Sequence, residues 1–190
     1  SLGVLGSLPA PSAVAGEPVQ LFNGTNLRGW HAYLSEHGVV KRDVWSVQDG
    51  LLVCRGEPMG YMYTSQKFES FKMVVEWRWA PGKPAGNNGV LMRINGAPLP
   101  LPRCLEAQLK SGDAGDLYGF HGMMIDGDTA RKIEITDNPM TGHLRGVKKV
   151  SGNENPVGEW NRYEIILDGP KLTVSVNGNK VNEAVDCEVV

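Results

Sequence analysis

The chain has 190 residues, a length that suits one large domain and needs no metal or disulfide to hold it together. Its 19 basic and 21 acidic side chains give a net charge of −2 without a basic block, which excludes the electrostatic surface that nucleic-acid binding requires. No apolar run is long enough to form a transmembrane segment.

Residues 1–16 differ from the rest of the chain because they are small or apolar and carry no charge. They lack the basic start of a signal peptide, so they are either a flexible N-terminal arm or the remnant of an export or lipoprotein leader. A leader remnant would indicate a periplasmic or secreted protein. Residues 17–190 are expected to form a single domain.

The apolar pattern of this domain predicts an all-β fold. Short runs of period two alternate with turn residues, the chain contains 24 Gly and 12 Pro, and no long helix-period stretch stands out. Asp49-Gly50, inside residues 45–53, predicts a tight hairpin because such a turn needs positive φ angles. Further turns are predicted at 168–170, between strands 163–167 and 172–176, and at Asn177-Gly178.

Three further segments have one apolar face and one face of long polar side chains. They are residues 71–79, 90–94 and 105–110. Alternate side chains of a strand point to opposite sides, so the polar set would form one patch if the three strands were neighbours in one sheet. That set consists of Glu76, Arg78, Arg93, Glu106, Gln108 and Lys110.

This polar set has two interpretations. It could be a plain solvent-facing sheet with weak cross-strand ion pairs, or it could be a ligand-binding surface. The side chains are bidentate hydrogen-bond formers, and Gly-rich loops flank them at 82–89, which contains Asn87, and at 111–122. Loops that border a rigid polar sheet commonly carry binding sites. We therefore favour binding.

The loop at 111–122 brings four polar or aromatic side chains into a short stretch. They are Asp113, Asp116, Tyr118 and His121. Tyr118 could stack on a sugar ring or fill a packing gap. His121 could be catalytic or could be a hydrogen-bonded structural residue.

The three cysteines, Cys54, Cys104 and Cys187, are an odd number and show no metal-ligand spacing. They are expected to be small apolar residues with free thiols. One disulfide stays possible in an oxidising compartment.

Eight short stretches, in this order and spacing over nearly the whole chain, resemble the 3-keto-disaccharide hydrolase family. This family belongs with the concanavalin A-like lectin/glucanase sandwiches, so the resemblance implies a jelly-roll sandwich of two antiparallel sheets. The stretches are LFNGTNLRGW (21–30), WSVQDGLLV (45–53), VVEWRW (74–79), GNNGVLMR (86–93), EAQL (106–109), DLYG (116–119), GEWN (158–161) and VNG (176–178).

Two features depart from the family pattern. The chain ends at Val190 without the further Gly-rich strand and the FRNI-like strand that normally close the domain, so the last strands could be absent. Asn88 stands where family members usually have Ser.

The resemblance implies an enzyme that cleaves 3-keto-glycosides, hydrates the resulting 3-keto-2-hydroxyglucal, or does both. A ketone at C3 acidifies the proton on C2, so a base can remove that proton and the C1 substituent can leave. Such a site needs one general base and a positive group or metal ion at the ketone oxygen.

For this chemistry we expect Glu106 to be the base or a metal ligand. Arg78 and Arg93 would stabilise the oxyanion, and Glu76 would either position Arg78 or join Glu106 and His121 around a divalent ion. His121 is a further catalytic candidate, and Glu106 and His121 could hold a divalent ion. No other cofactor is implied.

Carbohydrate is the expected partner. The side chains expected to bind it are Glu76, Asn87, Gln108, Lys110 and Tyr118.

Two other functions stay open. A conventional glycoside hydrolase on this fold would often carry an E-x-D-x-x-E strand, whereas this chain has Glu106-x-Gln108-x-Lys110. A non-catalytic carbohydrate-binding module would share the same fold.

Overall fold

The computed structural model describes residues 16–190, and nearly all of the regular structure in them is β. In this part of the chain no helix has the length and apolar character needed to cross a membrane. The expected N-terminal arm or leader falls outside the described residues except for Gly16, so the arm and the location it implies stay predictions. The elements are β1 (Trp30–Leu34), α1 (Lys41–Val44), β2 (Trp45–Gln48), β3 (Leu51–Cys54), β4 (Gly60–Thr64), β5 (Phe71–Trp77), β6 (Gly89–Asn95), β7 (Arg103–Gln108), β8 (Leu117–Gly119), β9 (Lys132–Asn138), β10 (Gly142–Val147), β11 (Asn161–Asp168), β12 (Lys171–Val176) and β13 (Asn179–Ala184).

Two antiparallel sheets form the body of the domain. One has five strands in the order β6-β7-β8-β10-β9, and the other has four in the order β13-β12-β11-β5. Their inner faces share one apolar core, which confirms the predicted β-sandwich. Two short pairs, β1–β4 and β2–β3, complete the fold. The fully buried core side chains include Leu105, Leu117, Val147, Tyr163, Ile165, Leu167, Leu172, Val174 and Val176.

The predicted hairpins are present. β2 pairs with β3 across Asp49 and Gly50, whose φ angles are 50° and 78°. β11 pairs with β12, and Asn177 and Gly178 turn β12 into β13 with φ angles of 50° and 82°. In each case the turn residues tolerate the positive φ that a tight connection between twisted strands requires.

The prediction that β5, β6 and β7 are neighbours in one sheet is wrong. β6 and β7 pair with each other, but β5 pairs with β11 in the opposite sheet. β5 also ends at Trp77, and β7 spans Arg103–Gln108 rather than 105–110. The alternation of apolar and polar residues identifies the buried face of a strand, but it does not identify the strand that pairs with it. The sequence therefore could not show that β5 pairs with β11.

A β-bulge in β6 connects the two sheets to the C-terminal segment. The pairing of β6 with β7 shifts between Met92 and Asn95, and Arg93 has a φ of 53°. Met92 packs into the core, and Arg93 also points to that side, where it donates to the carbonyl oxygens of Gly169, Cys187 and Glu188. A bulge redirects a side chain in this way.

Arg103 holds the same C-terminal segment from β7. Its guanidinium donates to both carboxylate oxygens of Glu188, at 2.9 and 2.7 Å. We call Arg93, Arg103 and residues 187–188 the C-terminal clasp.

All three cysteines have free thiols. Cys104 and Cys187 are buried, as expected for small apolar side chains, but Cys54 is exposed on β3.

Candidate active site

The outer face of the five-stranded sheet carries a row of side chains from all five strands. Strand register aligns Leu91, Glu106, Tyr118, Gly146 and Ile133 across this face. The neighbouring residues of β7, Leu105 and Ala107, pack in the core instead. We call this outer surface the Glu106 face.

Glu106 is a buried carboxyl, 7% exposed, at the centre of that row. Its side chain lies across Gly89, where a Cβ atom would come within 2.0 Å of Oε1. Among residues 16–190, no side chain or backbone N–H donates a hydrogen bond to this carboxyl. Burial raises the pKa of Glu106 to about 8 because the charged form loses its hydration. Glu106 can therefore exchange a proton near neutral pH.

Gln108 lies beside Glu106 on the same face of β7, and the orientation of its amide is fixed. The backbone N–H groups of Leu109 and Lys110 both donate to Gln108 Oε1, each at 2.9 Å. The Nε2 group has no acceptor among the described residues. Its two N–H bonds are available to the hydroxyl groups of a ligand.

A buried acid, a phenol and an ammonium form a network next to Glu106. Lys148 Nζ lies 2.7 Å from Asp116 Oδ2 and 2.8 Å from the Tyr118 hydroxyl, and that hydroxyl donates to Asp116 Oδ2 at 3.1 Å. The backbone N–H of Lys149 donates to Asp116 Oδ1 at 2.9 Å. Tyr118 is the register partner of Glu106, so the network begins on the strand next to the carboxyl, and Lys148 joins it from the end of β10, one strand further.

The network keeps Lys148 charged. Partial burial lowers the pKa of Lys148, but the Asp116 carboxylate and the Tyr118 hydroxyl outweigh it and hold that pKa above its ordinary value. Burial raises the pKa of Tyr118 to about 12, so the phenol keeps its proton and stays a donor. Lys148 is therefore a fixed positive charge beside the Glu106 face.

The Tyr118 ring is not an exposed stacking platform. It is 8% exposed, it stacks on Phe120 with the centroids 6.3 Å apart, and it lies against Gly146, where a Cβ atom would come within 2.6 Å of the ring. The packing interpretation of this ring is confirmed, and the hydroxyl is the part of Tyr118 that reaches the polar network.

Glu76 and Arg78 lie on the opposite side of the sandwich from Glu106. Glu76 is exposed on the outer face of the four-stranded sheet and pairs with Arg162 at 3.3 Å. The Arg78 guanidinium lies over the exposed Trp160 ring, 4.7 Å from its centroid. The predicted polar patch therefore does not include these two side chains.

Arg93 is also absent from the Glu106 face. The bulge in β6 turns its guanidinium toward the carbonyl oxygens of Cys187 and Glu188 in the C-terminal clasp and of Gly169 in the β11–β12 turn. Arg93 therefore cannot stabilise an oxyanion beside Glu106, although the sequence predicts that role. The prediction assumes that side chains alternate regularly along β6, and the bulge interrupts this alternation at Arg93.

His121 is held by the backbone and does not join a metal site. Its Nε2 donates to the Leu101 carbonyl at 2.9 Å, and the ring lines an apolar cavity together with Met59, Leu101 and Met140. Among residues 16–190, no three His, Cys, Asp or Glu side chains converge as metal ligands. These residues do not fit a divalent ion, so no step below depends on one.

Two further predicted binding residues lie in loops. Lys110 is exposed and pairs with Asp113 at 2.9 Å. Asn87 is exposed two residues before Gly89, and its role stays a prediction.

Lys148 is the functional candidate that the sequence does not reveal. Two glycines in Gly142–Val147 dilute the alternation that would predict β10, so no pattern places Lys148 beside Tyr118. The only available signal is the polar spacing of Asp116 and Tyr118 in one loop.

The fold is an antiparallel β-sandwich with a buried carboxyl on the outer face of its five-stranded sheet. The family whose model matches the chain is the 3-keto-alpha-glucoside-1,2-lyase-like domain, over residues 17–189. The chain belongs to this family.

Solved structures support the same fold. Two crystal structures from Parabacteroides distasonis, each described as a "putative glycosyl hydrolase" and determined at 1.70 and 2.00 Å, match with TM-scores of 0.57 and 0.56. Their sequence identities are 21% and 22%, and each match covers 87% of this chain and 70% of the other. At this identity they show the fold alone. No curated protein matches the chain.

Proposed function

We propose that this chain cleaves 3-keto-glycosides by elimination, with Glu106 as the general base. The observation that carries the proposal is the Glu106 carboxyl, which is buried, has a raised pKa and accepts no hydrogen bond from the described residues. A proton-transfer group is most effective when its pKa lies near the working pH. The family supports the substrate class.

The reaction balances with this one base. Glu106 in its ionised form removes the proton from C2, and the electron pair moves toward the C3 ketone to give an enolate. The enolate then reforms the ketone, a C1–C2 double bond forms, and the bond from C1 to the leaving oxygen breaks. Glu106 can return its proton to that oxygen, so the products are a 3-keto-2-hydroxyglucal and an alcohol.

Lys148 supplies the positive group of the site, and Asp116 and Tyr118 hold that ammonium in place. Negative charge develops on the C3 oxygen during proton removal, and a fixed ammonium close to that oxygen stabilises it. Gln108 Nε2 is placed to orient a sugar hydroxyl, since its Oε1 is already occupied by two backbone donors. These groups replace Arg78 and Arg93 in the expected scheme.

The placement of carboxylates favours elimination over conventional glycoside hydrolysis. Hydrolysis uses two carboxyl groups that flank the bond to be cleaved. Glu76 lies on the far side of the sandwich, and Asp116 is engaged by Lys148 and the Lys149 backbone. Glu106 is therefore a single free carboxyl rather than half of a pair.

The first prediction concerns turnover by the Glu106→Gln variant. Wild-type protein should convert a 3-keto-glucoside and leave the parent glucoside intact, both followed by chromatography of the released alcohol. Glu106→Gln should lower kcat by about 100-fold or more with little change in substrate binding, because only proton transfer is lost.

Glu76→Gln is the matched control, because it removes the same charge on the opposite side of the molecule and should keep wild-type rates. The proposal is overturned if the wild-type protein leaves the keto-glucoside unchanged, or if Glu106→Gln retains the wild-type rate. Tight binding of an unoxidised glycan without turnover would instead identify a non-catalytic binding module.

A further inference from the structure

β5 is an edge strand of the four-stranded sheet, because it pairs with β11 on one side only. Within residues 16–190, the only backbone hydrogen bonds of Phe71–Trp77 belong to the ladder with β11. One edge of this seven-residue strand therefore carries unpaired N–H and C=O groups, and another strand can extend the sheet there.

The direction of these free groups follows from β11. The Asn177 N–H donates to the Arg162 carbonyl at 2.8 Å, so the backbone of Arg162 points to the β12 side of β11. Consecutive residues of a strand point their backbone groups to opposite edges, so Tyr163 points to β5 and to its register partner, Val75. Residues 71, 73, 75 and 77 therefore bond to β11, and residues 72, 74 and 76 point their N–H and C=O groups to the free edge.

The free edge of β5 is complementary to itself. An antiparallel second copy of the chain, with Val74 on the twofold axis, places Lys72 opposite Glu76 of that copy and Glu76 opposite its Lys72. Residues 72, 74 and 76 then meet only residues whose backbone groups are also free, and each of these pairs can exchange two N–H···O bonds. The side chains of Lys72 and Glu76 are 58% and 63% exposed on the outer face, so each ammonium meets a carboxylate.

The same pairing covers apolar surface on both faces of β5. Phe71, Met73 and Val75 pack against the core but stay partly exposed, because the edge strand lacks a neighbour on one side. In this register Met73 lies opposite Val75 of the second copy. Phe71 lies opposite Trp77. On the outer face, Val74 is 41% exposed and meets Val74 of the second copy, so pairing removes apolar area from water on each side of the sheet.

The other three sheet edges are less suited to self-pairing. β6 is interrupted by the bulge at Arg93. The carbonyl oxygen of Val181, in β13, already accepts a hydrogen bond from the Val150 N–H. Full overlap of β9 with a second β9 would set Ile133 beside Asp137, so an apolar side chain would face a charge.

We propose that the chain forms a twofold homodimer through β5, in which the two four-stranded sheets join into one continuous sheet. The Glu106 face lies on the outer side of the opposite sheet and stays open in this dimer, so the association is independent of the proposed function. One strand pair is a small interface, and the dimer is therefore weak and reversible, with a Kd of about 10–100 μM.

The second prediction uses the charges of Lys72 and Glu76. Wild-type protein, whose chain mass is 20.7 kDa, should approach twice that mass in sedimentation equilibrium as its concentration rises from about 1 to about 500 μM. Lys72→Glu and Glu76→Lys should each weaken the dimer by about tenfold or more, because both ion pairs become like-charge contacts. An equimolar mixture of the two variants should associate as the wild type does, since unlike copies again pair opposite charges.

Val74→Lys is a second test, and Ile166→Lys is its matched control. Both positions are 41% exposed on the outer face of the four-stranded sheet, but Val74 lies on the twofold axis and Ile166 lies one strand away, on β11. Val74→Lys should prevent association because two ammonium groups meet at the axis, and Ile166→Lys should keep the wild-type Kd.

The outcomes separate the dimer from the reaction. A wild-type chain that stays monomeric at about 500 μM overturns the dimer, whether or not it turns over a keto-glucoside. A dimer that Val74→Lys or Lys72→Glu leaves unchanged uses another surface, and a mixture of the charge variants that does not associate contradicts the register; either result overturns the proposal. If circular dichroism shows that a charge variant does not fold, Val74→Lys and Ile166→Lys decide alone.

The weak Kd keeps the other experiments in the monomeric state. At about 1 μM protein, kinetic assays and thermal melts lie well below the expected Kd, so Glu76→Gln remains a valid control in them.

Discussion

Glu106 combines two properties that oppose each other in a folded protein. Burial in a nearly dry position weakens its acidity, which suits a group that exchanges protons near neutral pH. The same burial makes ionisation costly for the fold, because no described residue donates a hydrogen bond to the charged carboxylate. Gly89 provides the space for the carboxyl, so this position requires a residue without a side chain.

The third prediction concerns stability against pH. Folding raises the pKa of Glu106 from 4.5 to about 8, so between these values the folded protein keeps a proton that the unfolded chain releases. Stability contributed by this group is therefore full below 4.5 and is lost as the pH rises to about 8. Glu106→Gln, which never ionises, should be increasingly more stable than wild type across this window, by at most about 5 kcal/mol.

Thermal melts by circular dichroism at several pH values measure this difference. Glu76→Gln should melt in parallel with wild type, since Glu76 is exposed. A constant offset between Glu106→Gln and wild type at all pH values would show that folding does not shift the pKa of Glu106.

At the level of elements, β6 shows how one extra residue in a strand changes what the strand does. Leu91 faces outward and Met92 inward, as alternation predicts, but the bulge sends Arg93 inward as well. The Arg93 guanidinium then donates hydrogen bonds to three carbonyl oxygens. One belongs to Gly169, just after β11, and the other two belong to Cys187 and Glu188 in the C-terminal segment. This contact joins both sheets and assigns Arg93 to stability rather than chemistry.

The fourth prediction is that Arg93→Ala destabilises the domain without changing its chemistry. Loss of the guanidinium leaves three carbonyl oxygens without their donor, which should cost about 2–4 kcal/mol in a urea unfolding curve. Below its melting temperature the variant should keep the wild-type kcat on a 3-keto-glucoside.

Arg162→Ala provides the comparison, because its ion pairs are exposed and should contribute less than about 1 kcal/mol. A normal unfolding curve together with a lost kcat would return Arg93 to the catalytic site.

The sequence predicts best those elements whose structure depends on neighbouring residues alone, such as the tight turns. Asp49-Gly50 and Asn177-Gly178 adopt the positive φ angles that their residue types favour, so the hairpins could be located without a structure. β8 and β10 have weaker signals, because β8 spans only Leu117–Gly119 and β10 contains two glycines. Asp116 and Tyr118 lie at the start of β8 and Lys148 directly follows β10, so the sequence could not predict that these three side chains meet.

At the scale of the whole molecule, the two sheets are joined by one core, whereas the two short pairs lie outside that core. β11 and β12 alternate between fully buried and outward residues, and their inner side chains contact both sheets. All four residues of β3 are exposed. Stability should therefore differ strongly between the core strands and the β2–β3 pair.

The fifth prediction follows from this difference and is tested by amide hydrogen exchange. Amides of β11 and β12 should exchange only through global unfolding, while those of β2 and β3 should exchange faster through local opening. Equal protection of the two regions, measured by mass spectrometry under native conditions, would contradict the prediction.

The arrangement of the strands in sheets also explains which part of the site the sequence located. Glu106 and Gln108 are correct neighbours because they lie on one strand, where alternation alone fixes their common face. The same rule assigned Glu76 and Arg78 to the Glu106 face. Residues on different strands share a face only if the strands belong to the same sheet, and β5 pairs with β11 in the opposite sheet.

Cys54 is the one exposed cysteine of the three and therefore a single site for thiol labelling. The chain contains three cysteines, and the other two are enclosed, so a maleimide dye should attach at one position without any engineered change. A fluorophore there would sit on the β2–β3 hairpin and leave Glu106 and its polar neighbours unmodified.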